Sequence, residues 1–125
     1  MSFGRTVGAC LRAAERFAEK GKSVSVIRFA TLKGFDENRL DVLFSHAKKI
    51  LFVEEGMEHG GFSGYLTALL QKRGLTEGVG MRTLAIYEKF IPHGKAEELL
   101  AQLGLDADGI EKELNALDQT GSISV

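Results

Sequence analysis

The sequence predicts an α/β fold with a parallel sheet covered by helices on both faces. Apolar residues recur at helical spacing in separate stretches, the rhythm of one-sided helices. Between them lie short β-branched or apolar runs, "SVSVIRF", "ILFV" and "RTLAIY". Strand and helix alternate regularly, and such an alternation within one sheet calls for right-handed parallel crossovers.

The elements follow in order. From Arg5 to Lys20, Val7, Cys10, Leu11, Ala14, Phe17 and Ala18 form an apolar stripe, and Gly21 is placed to end the helix. Val24 to Phe29 reads as a strand. Asp36 caps a helix whose inward face is Leu40, Leu43, Phe44 and Ala47, with His46 inside it and Lys48 and Lys49 at its end, where positive charge suits the dipole. Ile50 to Val53 is apolar without a break, as a strand buried on both faces should be. The next helix presents Phe62, Tyr65, Leu66, Leu69 and Leu70, and Arg82 to Tyr87 reads as a further strand. Ala96, Leu99, Leu100 and Leu103 line another helix. The last begins at Asp106 as N-cap, with Leu105 and Ile110 as hydrophobic staple, and buries Ile110, Leu114 and Leu117.

A chain of 125 residues, 44% hydrophobic and 26% charged, has the size and composition of one soluble domain, here 1–117, with 118–125 expected as a flexible tail. A net charge of −1 speaks against nucleic acid as a partner. No apolar run reaches the length of a membrane span, so a membrane partner is not expected. Cys10 has no second cysteine to pair with, which suits a reducing cytoplasm. Only Met1 to Phe3 precede the first helix, so Gly4 reads as a strand-to-helix turn whose strand is truncated, as in an excised domain.

Candidate chemistry centres on "LFVEEGMEHGGFSGYL". Glu54 and Glu55 fall at the carboxyl end of a central strand, where α/β folds place ligands. Successive strand residues point to opposite faces, so the two cannot share one proton as a dyad; a catalytic role stands against a structural one. Gly60 and Gly61 precede a helix whose free N–H groups suit an anion, yet the P-loop lysine and hydroxyl are missing. The bland alternative is a tight turn that lets the helix pack closely. "GFSGY" imitates a nucleophile elbow, but Tyr65 stands where the final glycine belongs. His46, His59 and His93 show no paired ligand spacing, so no metal site is expected; His93 before Gly94 reads as a turn residue. Cys10, on the inward face of its helix, reads as packing.

Several of these pieces, taken together, resemble one family. "TVGACLRAAERFAEKGKSVSVIRFATLKGFDENRL" is similar to the opening of the C-terminal domain of transketolase-type thiamine diphosphate enzymes. "LFVEEGMEHGGFSGYL" resembles that family's strand, glutamate pair and glycine turn. "FIPHG" and "LGLDADGI" resemble the end of the branch that joins pyruvate to glyceraldehyde 3-phosphate, releasing carbon dioxide and giving the isoprenoid precursor 1-deoxy-D-xylulose 5-phosphate. The resemblance implies a three-layer α/β/α sandwich with a mostly parallel, five-stranded sheet. It implies thiamine diphosphate and magnesium in the parent enzyme, with no cofactor site and no catalytic residue in this chain. The partners implied are the enzyme's other domains and a second subunit in a homodimer, all cytoplasmic. Glu54, Glu55, Gly60, Gly61 and His93 then become structural or interdomain positions. Two features depart from the family pattern: Gly34 replaces a usual proline, and "LAIYEKFIPHG" lacks a glycine-leucine-proline-aspartate stretch. They keep a transketolase or split-transketolase subunit open beside the synthase branch. Rival readings are a stand-alone anion-binding module at Gly60–Gly64 and a small hydrolase using Ser63 with His59 or His93.

Overall fold

The computed structural model describes residues 1–2, 6–31, 34–57, 61–86 and 96–119. Helices α1 (Thr6–Glu19) and α2 (Asn38–Phe44) precede strand β1 (Lys49–Met57). Helix α3 (Phe62–Lys72) leads to strand β2 (Gly80–Ile86), followed by α4 (Ala96–Gln102) and α5 (Ala107–Gln119). β1 and β2 run parallel, in register from Lys49 opposite Gly80 to Val53 opposite Leu84.

Alternation along β1 divides the molecule into two cores. Leu51 and Val53, with Leu84 of β2, pack against Cys10 and Ala13 of α1 and Ile110 and Leu117 of α5. Ile50 and Phe52 point the other way, onto Leu40 and Phe44 of α2 and Leu66 and Leu70 of α3. The unbroken apolar run of β1 is thereby explained, since both of its faces are covered. Each fully buried leucine here contributes about 1.5–3 kcal/mol relative to an exposed one. The α/β class and the parallel sense of the sheet are as expected, and the hydrogen-bonded sheet among the described residues has two strands.

Several expectations are corrected. Val24 to Phe29 is not a continuous strand; only Arg28 makes a bridge, to Ser2. A strand needs a partner along its whole length, and Met1–Ser2 supplies one only at its upper end. The buried face of α1 is Thr6, Ala9, Cys10, Ala13 and Phe17, while Leu11 is exposed. Small alanines face the sheet because they allow the helix to approach closely. Helix α2 stops at Phe44, so His46 lies in the turn after it and Leu43 is exposed. Lys48 and Lys49 lead into β1 instead of ending a helix, and Lys49 Nζ donates to the carbonyl of Asp118 at 2.6 Å. Tyr65 is exposed, resting beside the Phe62 ring. Gly34 has φ of 75°, a conformation closed to proline, which accounts in backbone terms for the departure there.

The last helix starts as read. Asp106 Oδ1 accepts the Gly109 N–H at 2.9 Å, and Leu105 and Ile110 are buried in the same core. Arg16 pairs with Asp108, and Lys20 with Glu111 at 2.7 Å, tying α1 to α5 along an exposed edge. α5 runs to Gln119, and Lys22 Nζ donates to the Asp118 carboxylate at 2.7 Å.

Met1 and Ser2 lie between residues 27–29 and β1. Ser2 donates to Ile27 at 3.0 Å and accepts from Phe29, while Met1 accepts from Val53 at 2.9 Å. The Met1 amino group donates to the Leu51 carbonyl at 2.6 Å, and its desolvation there holds its pKa below the ordinary value. Burial pushes the Cys10 thiol the other way, above its ordinary value, so at neutral pH it is a thiol packed in the core.

Two tests follow from this packing. The amine binds fewer protons folded than unfolded. As pH falls below ~8 the unfolded state gains the proton first, and stability declines, by at most ~1.4 kcal/mol per pH unit, until the folded pKa is reached. Urea melts at pH 9 and pH 6.5 should show this decline for the free amine and lose that component in the Nα-acetylated chain. Secondly, a Cβ on Gly109 would meet the Gly104 carbonyl oxygen at 2.1 Å, whereas one on Gly64 meets nothing within 4 Å among the described residues. Gly109→Ala should destabilise by about 1–3 kcal/mol, and Gly64→Ala should stabilise by about 0.5–1 kcal/mol, in thermal melts.

Candidate functional site

Of the acids and glycines singled out in the sequence, Glu54 and Gly61 meet at the start of α3. β1 continues through Glu54 and Glu55 to Met57, so the two glutamates lie within the strand and not at its carboxyl end. Pairing with β2 is regular up to Val53 and resumes at Met57 opposite Ile86, so the acids occupy an irregular stretch where β1 carries more residues than its partner. Glu54 is 2% exposed, on the side of α3, and Glu55 is half-buried.

Glu54 Oε2 accepts the backbone N–H of Ser63 at 2.8 Å. Ser63 is in the first turn of α3, and Gly61 at the N-cap has no side chain with which to cap the helix itself. A carboxylate from the neighbouring strand therefore does the work that a serine or aspartate cap normally does, and its charge complements the positive end of the helix dipole. Gly61 has φ of −79°, an ordinary extended conformation, so it makes no left-handed turn here. Phe29, Phe35 and Phe62 close over this corner edge to face, with ring centroids 5.3–6.2 Å apart. Arg73, at the far end of α3, grips both oxygens of Asp41 on α2 at 3.0 and 2.7 Å.

This geometry limits the chemistry. The cavity beside Glu54 measures about 10 Å³, room for no more than one water. The start of α3 already holds a carboxylate, and an incoming phosphate would meet that negative charge. Ser63 is buried, so its hydroxyl is not placed to attack a substrate. Gly60, His59 and His93 lie outside the described residues. Among the described residues there is no group of three or more His, Cys, Asp or Glu able to hold a metal, and no helix is long and apolar enough to cross a membrane. A cavity of about 10 Å³ has no room for thiamine diphosphate, so the described residues of this corner do not fit that group.

Sequence reading brought Glu54 and Gly61 to one corner but missed the capping role of Glu54 and the ring cluster around it. A signal was available. Glu54 shares its parity with Ile50 and Phe52, the face on which α3 packs, so a carboxylate there points at the helix start.

Comparison with known proteins places the chain. The model of the transketolase C-terminal domain matches residues 1–110. A 1-deoxy-D-xylulose-5-phosphate synthase from Anaeromyxobacter sp. (strain Fw109-5) is 36% identical over 118 residues, covering 94% of this chain and 19% of that protein. The synthase of Geobacillus thermodenitrificans is 32% identical over 117 residues, 94% of this chain and 18% of its own length. That of Magnetococcus marinus is 36% identical over 118 residues, with 94% and 19% covered. The chain belongs to the transketolase C-terminal domain family. It spans about a fifth of the length of these relatives.

If Glu54 caps α3, its removal should cost what a charged hydrogen bond contributes. Glu54→Ala is expected to lower unfolding free energy by about 1.5–3 kcal/mol, and Glu54→Gln, which keeps an acceptor, by roughly half as much. Chemical denaturation distinguishes them; equal losses would mean that packing, not the hydrogen bond, is what Glu54 provides.

Proposed function

We propose that this chain is the C-terminal assembly domain of a thiamine diphosphate-dependent enzyme of the 1-deoxy-D-xylulose-5-phosphate synthase type, and contributes no catalytic residue. The observation that carries this reading is the Glu54–Ser63 contact. Glu54 Oε2 is bonded to the Ser63 N–H, joining β1 to α3, and the cavity of about 10 Å³ at the carboxylate, whose Oε1 has no hydrogen-bond partner among the described residues, is too small for a substrate. On this reading Glu55, Gly60, Gly61 and His93 also serve as structural or interdomain positions. The parent enzyme converts pyruvate and glyceraldehyde 3-phosphate to 1-deoxy-D-xylulose 5-phosphate and carbon dioxide, using thiamine diphosphate and magnesium held by its other domains, and works as a cytoplasmic homodimer. In that assembly the sheet is five-stranded and mostly parallel within a three-layer sandwich. The likeness to named synthases over 94% of the chain favours this branch over a transketolase or a split subunit.

Exposed apolar side chains support an assembly role. Val42 is 80% exposed and Leu43 44%, neighbours on α2, and Leu11 and Tyr65 are also uncovered. Scattered surface apolars are ordinary, but an adjacent pair on one short helix suits a contact with another domain.

The test has two arms. Calorimetry of the isolated chain with thiamine diphosphate and magnesium should give no binding, and a tight complex would sink the reading. A chimera in which this chain replaces the matching fifth of the Anaeromyxobacter synthase should form product, with activity falling at least tenfold on Val42→Asp/Leu43→Asp while the isolated chain keeps its stability.

A further inference from the structure

We propose that α5 is a clasp whose register and opening are set by charge. It lifts from the sheet as one unit while the rest stays folded, and rising ionic strength makes it lift more often. The inference does not depend on the enzyme reading.

Helical spacing puts Ile110, Leu114 and Leu117 of α5 on one stripe, which packs with Leu51, Val53 and Leu84 and with Cys10 and Ala13 of α1. Asp108, Glu111 and Asp118 fall along one border of that stripe and Glu113 along the other. These are all the acids that α5 carries, and each meets a base from another element. Arg16 of α1 pairs with Asp108 and stands 3.4 Å from Glu111, which also takes Lys20 at 2.7 Å. Lys22 meets the Asp118 carboxylate at 2.7 Å, and Lys49 of β1 donates to the Asp118 carbonyl at 2.6 Å. On the other border Arg82 of β2 reaches Glu113 at 3.0 Å.

Charge fixes what apolar contact leaves open. Burial is non-directional, and a helix displaced by one turn would still offer Leu114 where Ile110 now sits. The same step would bring Lys112 against Arg16, in the place of Asp108, and carry Asp118 away from Lys22. Arg82 and Lys49 share the parity of Leu84 and Leu51, so both stand on the sheet face that α5 covers. Among the described residues, every ion pair except Arg73–Asp41 has one partner on α5. An isolated exposed pair contributes little, whereas several on both borders of one helix act as a network.

The attachment also suits separate opening. Among the described residues no backbone hydrogen bond joins α5 to another element, so side chains alone seat it. Elements held in this way open as local units at less cost than the whole fold. Arg16, Lys20, Lys22 and Arg82 have side chains at least 41% exposed, so dissolved salt reaches and screens their pairs. α3, by contrast, is tied at its start by the buried Glu54 carboxylate, which salt does not reach.

The experiment is amide hydrogen exchange by NMR on the full chain, at constant pH, in about 0.02 M and about 0.5 M sodium chloride. Exchange at Leu114 and Leu117 should speed up by about threefold or more in the higher salt, while Leu66 of α3 keeps its rate. A charge exchange tests the register. Lys20→Glu with Arg82→Glu, which sets acid against acid on both borders, should speed exchange in α5 about tenfold. Adding Glu111→Lys and Glu113→Arg should bring the rates back to within about threefold of the original chain. Rates at Leu114 and Leu117 that ignore salt would overturn the proposal, and that arm needs no variant. Equal acceleration at Leu66 would overturn it too, since α5 would then open only with the whole fold. So would a charge exchange that fails to restore protection.

Discussion

The pairing of β1 with β2 is the constraint on which the rest of the molecule hangs, because both cores are built from side chains on its two faces. Leu51, Val53 and Leu84 commit one face to α1 and α5, and Ile50 and Phe52 commit the other to α2 and α3. A slip of one residue would exchange these sets and bring every helix against the wrong side. Parallel pairing also demands the α3 crossover, whose own inward leucines, Leu66 and Leu70, then close the second core.

Glu54 is best understood within that frame. A buried carboxylate is costly unless it is hydrogen-bonded, and the start of α3 supplies both an N–H donor and the positive end of a helix dipole. The irregular pairing after Val53 lets the strand deliver this side chain to the helix while still resuming contact with β2 at Met57. Strand and helix thus meet at one corner, joined by the Glu54–Ser63 hydrogen bond.

The proposed assembly role rests on the chain's membership of the transketolase C-terminal domain family and on the Glu54–Ser63 contact. Val42 and Leu43 on α2 form an uncovered apolar pair.

Local periodicity alone was enough to read the helices and much of the core: Cys10, Phe17, Leu40, Phe44, Leu66, Leu70, Ile110 and Leu117 are all buried where the apolar spacing put them. The Asp106 cap was equally legible, since its partner Gly109 is three residues away. Where the reading failed, the deciding partner was distant in the chain. Thr6, Ala9 and Ala13 are buried, and Leu11 is exposed, because the sheet admits small residues close to α1. Residues 24–29 have strand composition yet form a single bridge, since pairing depends on what lies alongside. The family resemblance was visible in the order of motifs, but the capping role of Glu54 was not. A helix is bonded to itself and shows in its own residues, whereas a strand, a buried acid and a sheet edge take their meaning from neighbours that only folding brings near.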